Sequence, residues 1–267
     1  MHAFTEYSRI SGKFKSDISF DGNHFVFAGD SRDVFVYEIS TDSKGAVFNT
    51  GGVLFNNVGI TPDGNVTIAW IAAGSNRFQG IELFDSNMNF LRQIVRYDGH
   101  SDFTRDTNGD EVLVWTNSAD PNPISNCNNG VVKIRLSDAA QTCLAKFDWS
   151  LAVHISGTDN SGWVFVETYA PGDPIPPAGW FTYTDELMQV KLDGSQVRRF
   201  AHHRSRPLNS YSYQPKLSIS RDGSKLAYAS NFGLQQIIGN PTEYSDAYAI
   251  DLSVISPDSL GTAYTGP

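Results

Sequence analysis

The chain has 267 residues and a net charge of −9 with no basic block, which argues against a nucleic-acid partner. No apolar run is long enough to span a bilayer, and the opening MHAFTEYSRISGKFKSD has no apolar stretch of the kind that directs export. Aromatics make up 12%, and 23 Gly and 12 Pro are spread along the chain, a mix that suits many short strands joined by tight turns.

The predicted elements repeat. SFDGNHFVF, TPDGNVTIAW, DTNGDEVLVW, DNSGWVFVE and SRDGSKLAYAS each place a glycine turn between two apolar runs. The turn residues are Gly22, Gly64, Gly109, Gly162 and Gly223, and a tight hairpin asks them for positive φ. The first spacing matches one four-stranded propeller blade, roughly 40–45 residues. After each turn comes a second strand (HFVFAGD, NVTIAWIAA, EVLVWTN, WVFVETYA, KLAYASN), then a third (DVFVYEIS, GIELFDS, GVVKIRLS, DELMQVKLDG, DAYAIDLS). GAVFNT, FLRQIV, QTCLAKF and QVRRFAH supply a fourth in most units. Helical periodicity is nearly absent. This pattern predicts an all-β fold, a β-propeller of four-stranded antiparallel blades over 13–50, 53–96, 97–147, 151–201 and 211–267. The last unit lacks a convincing fourth strand, and residues 1–12 are the candidate closing strand. A larger propeller, of which these five blades are part, is the alternative.

Cys127 and Cys143 flank the hairpin VVKIRL-SDAA-QTCLAKF. A turn over Ser137–Ala140 sets Cys143 opposite Lys133 or Ile134. A bridge therefore needs the loop before Asn129 to fold back, because the two Cα atoms must come within about 7 Å. Bridge and buried thiols both stay open.

The later units grow, and the added residues lie mainly between second and third strands: SADPNPISNCNN, PGDPIPPAGWFTYT and FGLQQIIGNPTEY. In a blade these loops share a face with the entry to each innermost strand, and long loops on a regular scaffold are where binding resides. His100, His154 and Gln214 each stand eight or nine residues before their turn glycine. They therefore take equivalent places at the mouth of the innermost strand. His203 lies in the connection leading to Gln214, and Asn56 or Asn57 takes the matching place in the second unit. These residues predict a polar funnel. Channel filling by polar side chains and water is the plain alternative.

Imidazoles converging with an amide oxygen suit a divalent metal. His154, His203 and Gln214 are the candidate ligands, with Asp102 and Asp159 as supporting acids. Arg105, Arg204 and Arg206 offer guanidinium forks for carboxylates. Tyr169, Tyr211, Tyr213, Trp163 and Trp180 offer flat faces of the kind sugars stack on, although Trp163, at a strand start, is equally a packing residue. A cation and an arginine around a uronic-acid carboxylate would acidify its α-proton, and His100 or Tyr213 would remove it. A hydrolase built on carboxylates has Asp102, Asp159, Glu167 and Asp173 available, none paired in an informative way.

TPDGNVTIAW, SRDGSKLAYASN and DELMQVKLDG resemble the repeats of TolB-like (WD40-like) propellers over nearly the whole chain. The combination GHSD, AVHIS, AHHRSR and YQPKLSISRDG is similar to propellers grouped near oligogalacturonate lyase, which degrade pectic oligomers. That resemblance implies a divalent cofactor, manganese before zinc or calcium, held by His154, His203 and Gln214. It implies His100 as base or further ligand and Arg204 as carboxylate partner. Two departures stand beside it. The lyase group has seven blades against five here, and its glutamine precedes the paired histidines, whereas Gln214 follows His203. The expected activity is a metal-assisted lyase of uronic-acid oligosaccharides, with Arg105, Arg206, Tyr169, Trp180 and Tyr211 on the substrate. The alternative is a non-catalytic propeller binding a protein or glycan through its long-loop face. Neither a nucleic-acid partner nor a membrane span is expected, and a periplasmic or secreted parent is.

Overall fold

The computed structural model describes residues 3–11, 17–118, 126–158, 162–171, 180–208, 210–234 and 244–253. The chain divides into two compact units, Met1–Asp98 with Arg135–Ala139, and Gly99–Ile134 with Ala140–Pro267. The fold is all-β and of the propeller kind: antiparallel meanders follow one another along the chain. No helix among the described residues is long and apolar enough to cross a membrane.

In the first unit, β1 (Ile10–Ser11) and β2 (Asp17–Ile18) share one edge of β3 (His24–Gly29), which leads to β4 (Asp33–Glu38) and β5 (Ser43–Asn49). Ile10 and Ser11, from the segment read as a closing strand, thus pair with Gly29 and Ala28 of the first sheet. The second sheet runs β6 (Phe55–Ile60), β7 (Val66–Trp70), β8 (Ile81–Phe84) and β9 (Phe90–Val95). Val26, Ala28, Val34 and Val36 of the first sheet pack on Val58, Ile60, Val66, Ile68 and Trp70 of the second.

The second unit begins with β10 (Ser101–Arg105), β11 (Glu111–Asn117), β12 (Gly130–Arg135) and β13 (Gln141–Lys146). The fourth sheet is β14 (Ala152–Ser156), β15 (Trp163–Tyr169), β16 (Glu186–Lys191) and β17 (Val197–His202). The fifth shows β18 (Ser218–Ile219), β19 (Lys225–Ser230) and β20 (Asp246–Asp251), and residues 254–267, where a fourth strand was sought, lie outside the described residues. Period two sorts the side chains of β15. Val164 and Val166 face Val112, Val114 and Val131 of the third sheet. Phe165, between them, joins Leu217, Ile219 and Leu226 of the fifth. A sheet covered on both faces needs such continuous apolar runs, each fully buried Val, Leu or Phe contributing about 1.5–3 kcal/mol.

All five turn glycines hold positive φ, from 68° at Gly162 to 83° at Gly64 and Gly109. At Thr61–Asn65 the Gly64 N–H bonds back to the Thr61 carbonyl at 2.9 Å, and Thr61 N–H reaches the Asn65 carbonyl at 2.8 Å. This is a three-residue hairpin with glycine at the left-handed position.

Cys127 and Cys143 are bridged, with their Cα atoms 5.5 Å apart. The hairpin turn is wider than Ser137–Ala140: Ile134 already pairs with Gln141, which sets Cys143 opposite Val132 rather than Lys133 or Ile134. The loop before Asn129 does fold back: the Asn117 amide donates to the Cys127 carbonyl at 2.8 Å.

Candidate functional site

The second unit gathers two polar clusters where the fourth-sheet strands meet their connections. The first is built on β14 and β15. His154 and Glu167 stand directly opposite each other in the strand register. His154 Nδ1 donates to Glu167 Oε1 at 2.5 Å, and the Glu167 side chain is wholly buried. Glu167 also accepts the backbone N–H of Lys216 at 3.0 Å on Oε1 and of Leu217 at 2.6 Å on Oε2. Three donors balance the cost of burying this carboxylate. They also fix the His154 tautomer, with the proton on Nδ1 and Nε2 as the basic atom.

His100, just ahead of β10, lays its ring 4.6 Å from that of His154, centroid to centroid. Its Nδ1 donates to the Val153 carbonyl at 2.7 Å, so its basic atom is again Nε2. Tyr169, two residues beyond Glu167 on the same face of β15, has its ring 5.4 Å from His154. Burial, then the Glu167 charge, then Tyr211 push the Tyr169 hydroxyl up to about 12, against a lowering hydrogen bond to the Gln214 side chain. Tyr169 is therefore a hydrogen-bond donor at neutral pH and not a base. Gln214 closes the short helical turn Tyr211–Tyr213, and its Oε1 is buried with no hydrogen-bond partner among the described residues.

The second cluster centres on Asp185. Its Oδ1 accepts the Ala170 N–H at 3.1 Å, and Arg206 Nη1 donates to its Oδ2 at 2.7 Å. Burial would raise this carboxyl, but His203 and Arg206 overcome burial and hold it below the usual range. His203 is fully buried: Nδ1 accepts the Ser205 N–H at 3.1 Å, and Nε2 stands 3.6 Å from Asp185 Oδ1. Arg206 also stands 5.6 Å from the Trp180 ring. Trp180, Asp185, His202, Arg204, Arg206 and Phe232 wall a cavity of about 310 Å³. Arg204 enters it from left-handed backbone, φ 56°, a conformation that costs a non-glycine residue energy and is commonest at functional sites.

The structure thus brings His100, His154, Tyr169 and Gln214 together and gathers Arg204, Arg206 and Trp180 around His203 and Asp185. Arg105 falls in neither group. It ends β10 at the turn, bonding the Gly109 carbonyl at 3.4 Å, a strand's length from His100. Tyr213 is 3% exposed and packs on Tyr169 and Leu208, so it is a core residue. Tyr211 is exposed, with Lys216 Nζ 3.7 Å from its ring centroid. Asp102 accepts the Phe103 N–H at 3.0 Å and the Gly157 N–H at 2.8 Å. Asp159 and Asp173 lie outside the described residues. Glu167, read as unpaired, is the residue that organises the cluster. The signal was present in the hairpin, because counting back through the Gly162 turn sets it across from His154.

As a metal set these residues fit in part. His154 Nε2 and Gln214 Oε1 offer an oriented imidazole and a buried unpartnered oxygen. His203 Nε2 is likewise buried with no hydrogen-bond partner among the described residues, and it stands 3.6 Å from Asp185 Oδ1. Among the described residues no group of three or more His, Cys, Asp or Glu is placed to hold a metal ion.

The fold is similar to those of TolB-like and oligogalacturonate-lyase-type β-propellers. In fold the chain is similar to a protein assigned as TolB from Agrobacterium tumefaciens, with TM-score 0.52 and 15% identity over 96% of this chain and 80% of that one. It is likewise similar to an oligogalacturonate lyase in complex with manganese, with TM-score 0.55 and 12% identity over 91% of this chain. The chain spans 64% of that lyase's length. At these identities the likeness is one of fold. No family model matches the sequence, and no curated protein does.

Proposed function

We propose that this chain is a carbohydrate-active propeller, a lyase that cleaves uronic-acid-containing oligosaccharides by β-elimination at the histidine cluster. The observation that supports this reading is the His154–Glu167 pair, a buried carboxylate that fixes an imidazole with its Nε2 as acceptor. Such a pair is the usual orienting device for a catalytic or ligating histidine.

His100, neutral with its proton on Nδ1, takes the proton α to the substrate carboxylate on Nε2. The electron pair forms the carbon–carbon double bond as the bond to the leaving sugar oxygen breaks, and that oxygen takes up a proton from water. Tyr169, kept protonated, donates a hydrogen bond to the substrate or leaving oxygen. A divalent cation, manganese before zinc or calcium, would be held by His154 and Gln214 and would neutralise the carboxylate so that its α-proton acidifies.

The test is metal content before and after dialysis against chelator, beside His154→Ala, followed by the ultraviolet absorbance of an unsaturated product from uronic-acid oligomers. Near-stoichiometric metal lost in the variant, together with rising absorbance, is the expected result. Neither metal nor product would sink the reading.

The arginine cavity favours a second reading, a non-catalytic propeller that binds an acidic glycan or a protein there. In that case affinity follows Arg204 and Trp180 and is indifferent to His154→Ala. The Cys127–Cys143 bridge supports an oxidising compartment, periplasmic or secreted, under either reading.

A further inference from the structure

A second cavity in the same unit, of about 240 Å³, has His100, Thr116, Asn129, Trp149, Ser150 and Pro171 in its walls. Trp149 is 54% exposed, while Phe147 and Leu151, two residues away on either side, are 7% and 3% exposed. Strand alternation would have turned all three the same way. A turn forces Trp149 out instead. The Asp148 carboxylate accepts the Ser150 N–H at 2.9 Å and its hydroxyl at 2.7 Å, and the Leu151 N–H reaches the Asp148 carbonyl at 3.0 Å. Asn129 clamps the turn from outside: its amide donates to the carbonyls of Asp148 and Leu151, and its own carbonyl accepts the Phe147 N–H at 3.2 Å.

The indole is therefore presented on a pinned turn, beside hydroxyl groups and in the wall of a cavity it shares with His100. A single exposed aromatic is ordinary on a protein surface. An exposed tryptophan that walls a cavity with the candidate base is not explained by packing. The cavity is smaller than the roughly 300–1,000 Å³ typical of drug-sized pockets, which limits it to a unit about the size of one sugar ring.

We propose that Trp149 is a sugar-stacking platform, and that the cavity it shares with His100 binds one pyranose ring of the oligosaccharide substrate. The ring lays its apolar face on the indole, and its hydroxyls meet the polar wall. The carboxylate-bearing neighbour then falls at His100. Trp149 is a positioning residue in this scheme, because its contact holds the substrate in register and touches no reacting atom. The proposal rests on the carbohydrate reading above.

The experiment is calorimetric titration of the full chain with short galacturonate oligomers, for the unaltered protein, Trp149→Ala and Trp149→Phe, beside steady-state kinetics on the same oligomers. Trp149→Ala should raise Kd about tenfold, a loss of the size expected for one aromatic anchor, and raise KM more than it lowers kcat. Trp149→Phe should restore most of the affinity, and neither variant should shift the melting temperature of so exposed a site. Turnover with identical Kd and KM in all three proteins would overturn the platform and leave the lyase reading standing. Binding that depends on Trp149 with no unsaturated product would keep the platform and overturn the lyase. An unaltered protein that binds no oligomer overturns the platform as well.

Discussion

His154 and Glu167 face each other across the β14–β15 ladder, and the Nδ1–H of the one is held 2.5 Å from the buried carboxylate of the other. The same carboxylate ties down the Lys216 and Leu217 N–H groups, so one side chain joins the histidine, the fourth sheet and the entry to β18. Position and stability of the cluster are therefore coupled through Glu167.

Glu167→Ala should cost stability well beyond the loss of one hydrogen bond. It leaves two buried backbone donors and the His154 Nδ1–H unsatisfied, for a total of about 2–4 kcal/mol. Glu167→Gln keeps the shape but turns an N–H group toward other N–H donors, and should fall between. Urea denaturation of the three proteins measures this. Equal midpoints would mean that the carboxylate does not anchor the cluster.

The repeat was legible because its signals are local. Gly22, Gly64, Gly109, Gly162 and Gly223 need positive φ for reasons contained in four or five residues, and all five have it. The equivalence of His100 and His154 was legible for the same reason, since both are counted from a turn glycine, and their rings do meet. Irregularities in strand register were not legible. Asp185 and His203 continue the β16–β17 ladder beyond the Glu186–His202 pair, but a bulge between Leu187 and Met188 shifts that register by one, so counting from the turn does not set the two side chains 3.6 Å apart. Hence a buried histidine read as a funnel wall. Trp149 was missed because strand alternation hides it among core residues, and the Asp148 turn that expels it depends on Asn129 from another loop.

The hydroxyl of Tyr169 should titrate near 12 rather than near 10. The sign follows from its raised value. The native chain keeps a proton that the unfolded chain loses above pH 10, so the contribution is whole below that pH and declines as pH climbs toward 12. Tyr169→Phe should flatten this alkaline decline, and at neutral pH it should cost about 1 kcal/mol for the lost bond to Gln214. Tyrosinate absorbance against pH, read beside denaturation at pH 9 to 11, would show it. A tyrosine complement that ionises fully near 10 would contradict the burial argument.

Asp185 acts at the other end of the scale. Its carboxyl is held below the ordinary 3.8, so it stabilises the fold above that value, and the benefit is lost as pH falls through the native value. The arginine cavity should therefore hold through mild acid and loosen only as pH falls below the ordinary 3.8. Asp185→Asn should remove the acid-sensitive part while weakening the hold on Arg206. The readout is Trp180 fluorescence between pH 5 and 2, with Trp180→Phe as control. A Trp180 signal that changes identically in Asp185→Asn would refute the assignment.

The Cys127–Cys143 bridge closes a loop whose ends are 16 residues apart, and chain-entropy reasoning assigns such a loop about 3 kcal/mol. Its effect should also be local. Cys127 stands two residues from Asn129, whose side chain and carbonyl hold the turn that presents Trp149. The variant with serine at both positions should therefore lose about 3 kcal/mol by denaturant titration and release Trp149 toward water, with its fluorescence shifted to the red. The His154–Glu167 pair, joined across β14 and β15, should keep its hydrogen bond, read as an unchanged His154 ring N–H signal by NMR. A double-serine variant of unchanged stability would mean that β-pairing and Asn129 hold the loop without the bridge. A lost or shifted His154 ring N–H signal would mean that the bridge reaches the cluster through the third sheet.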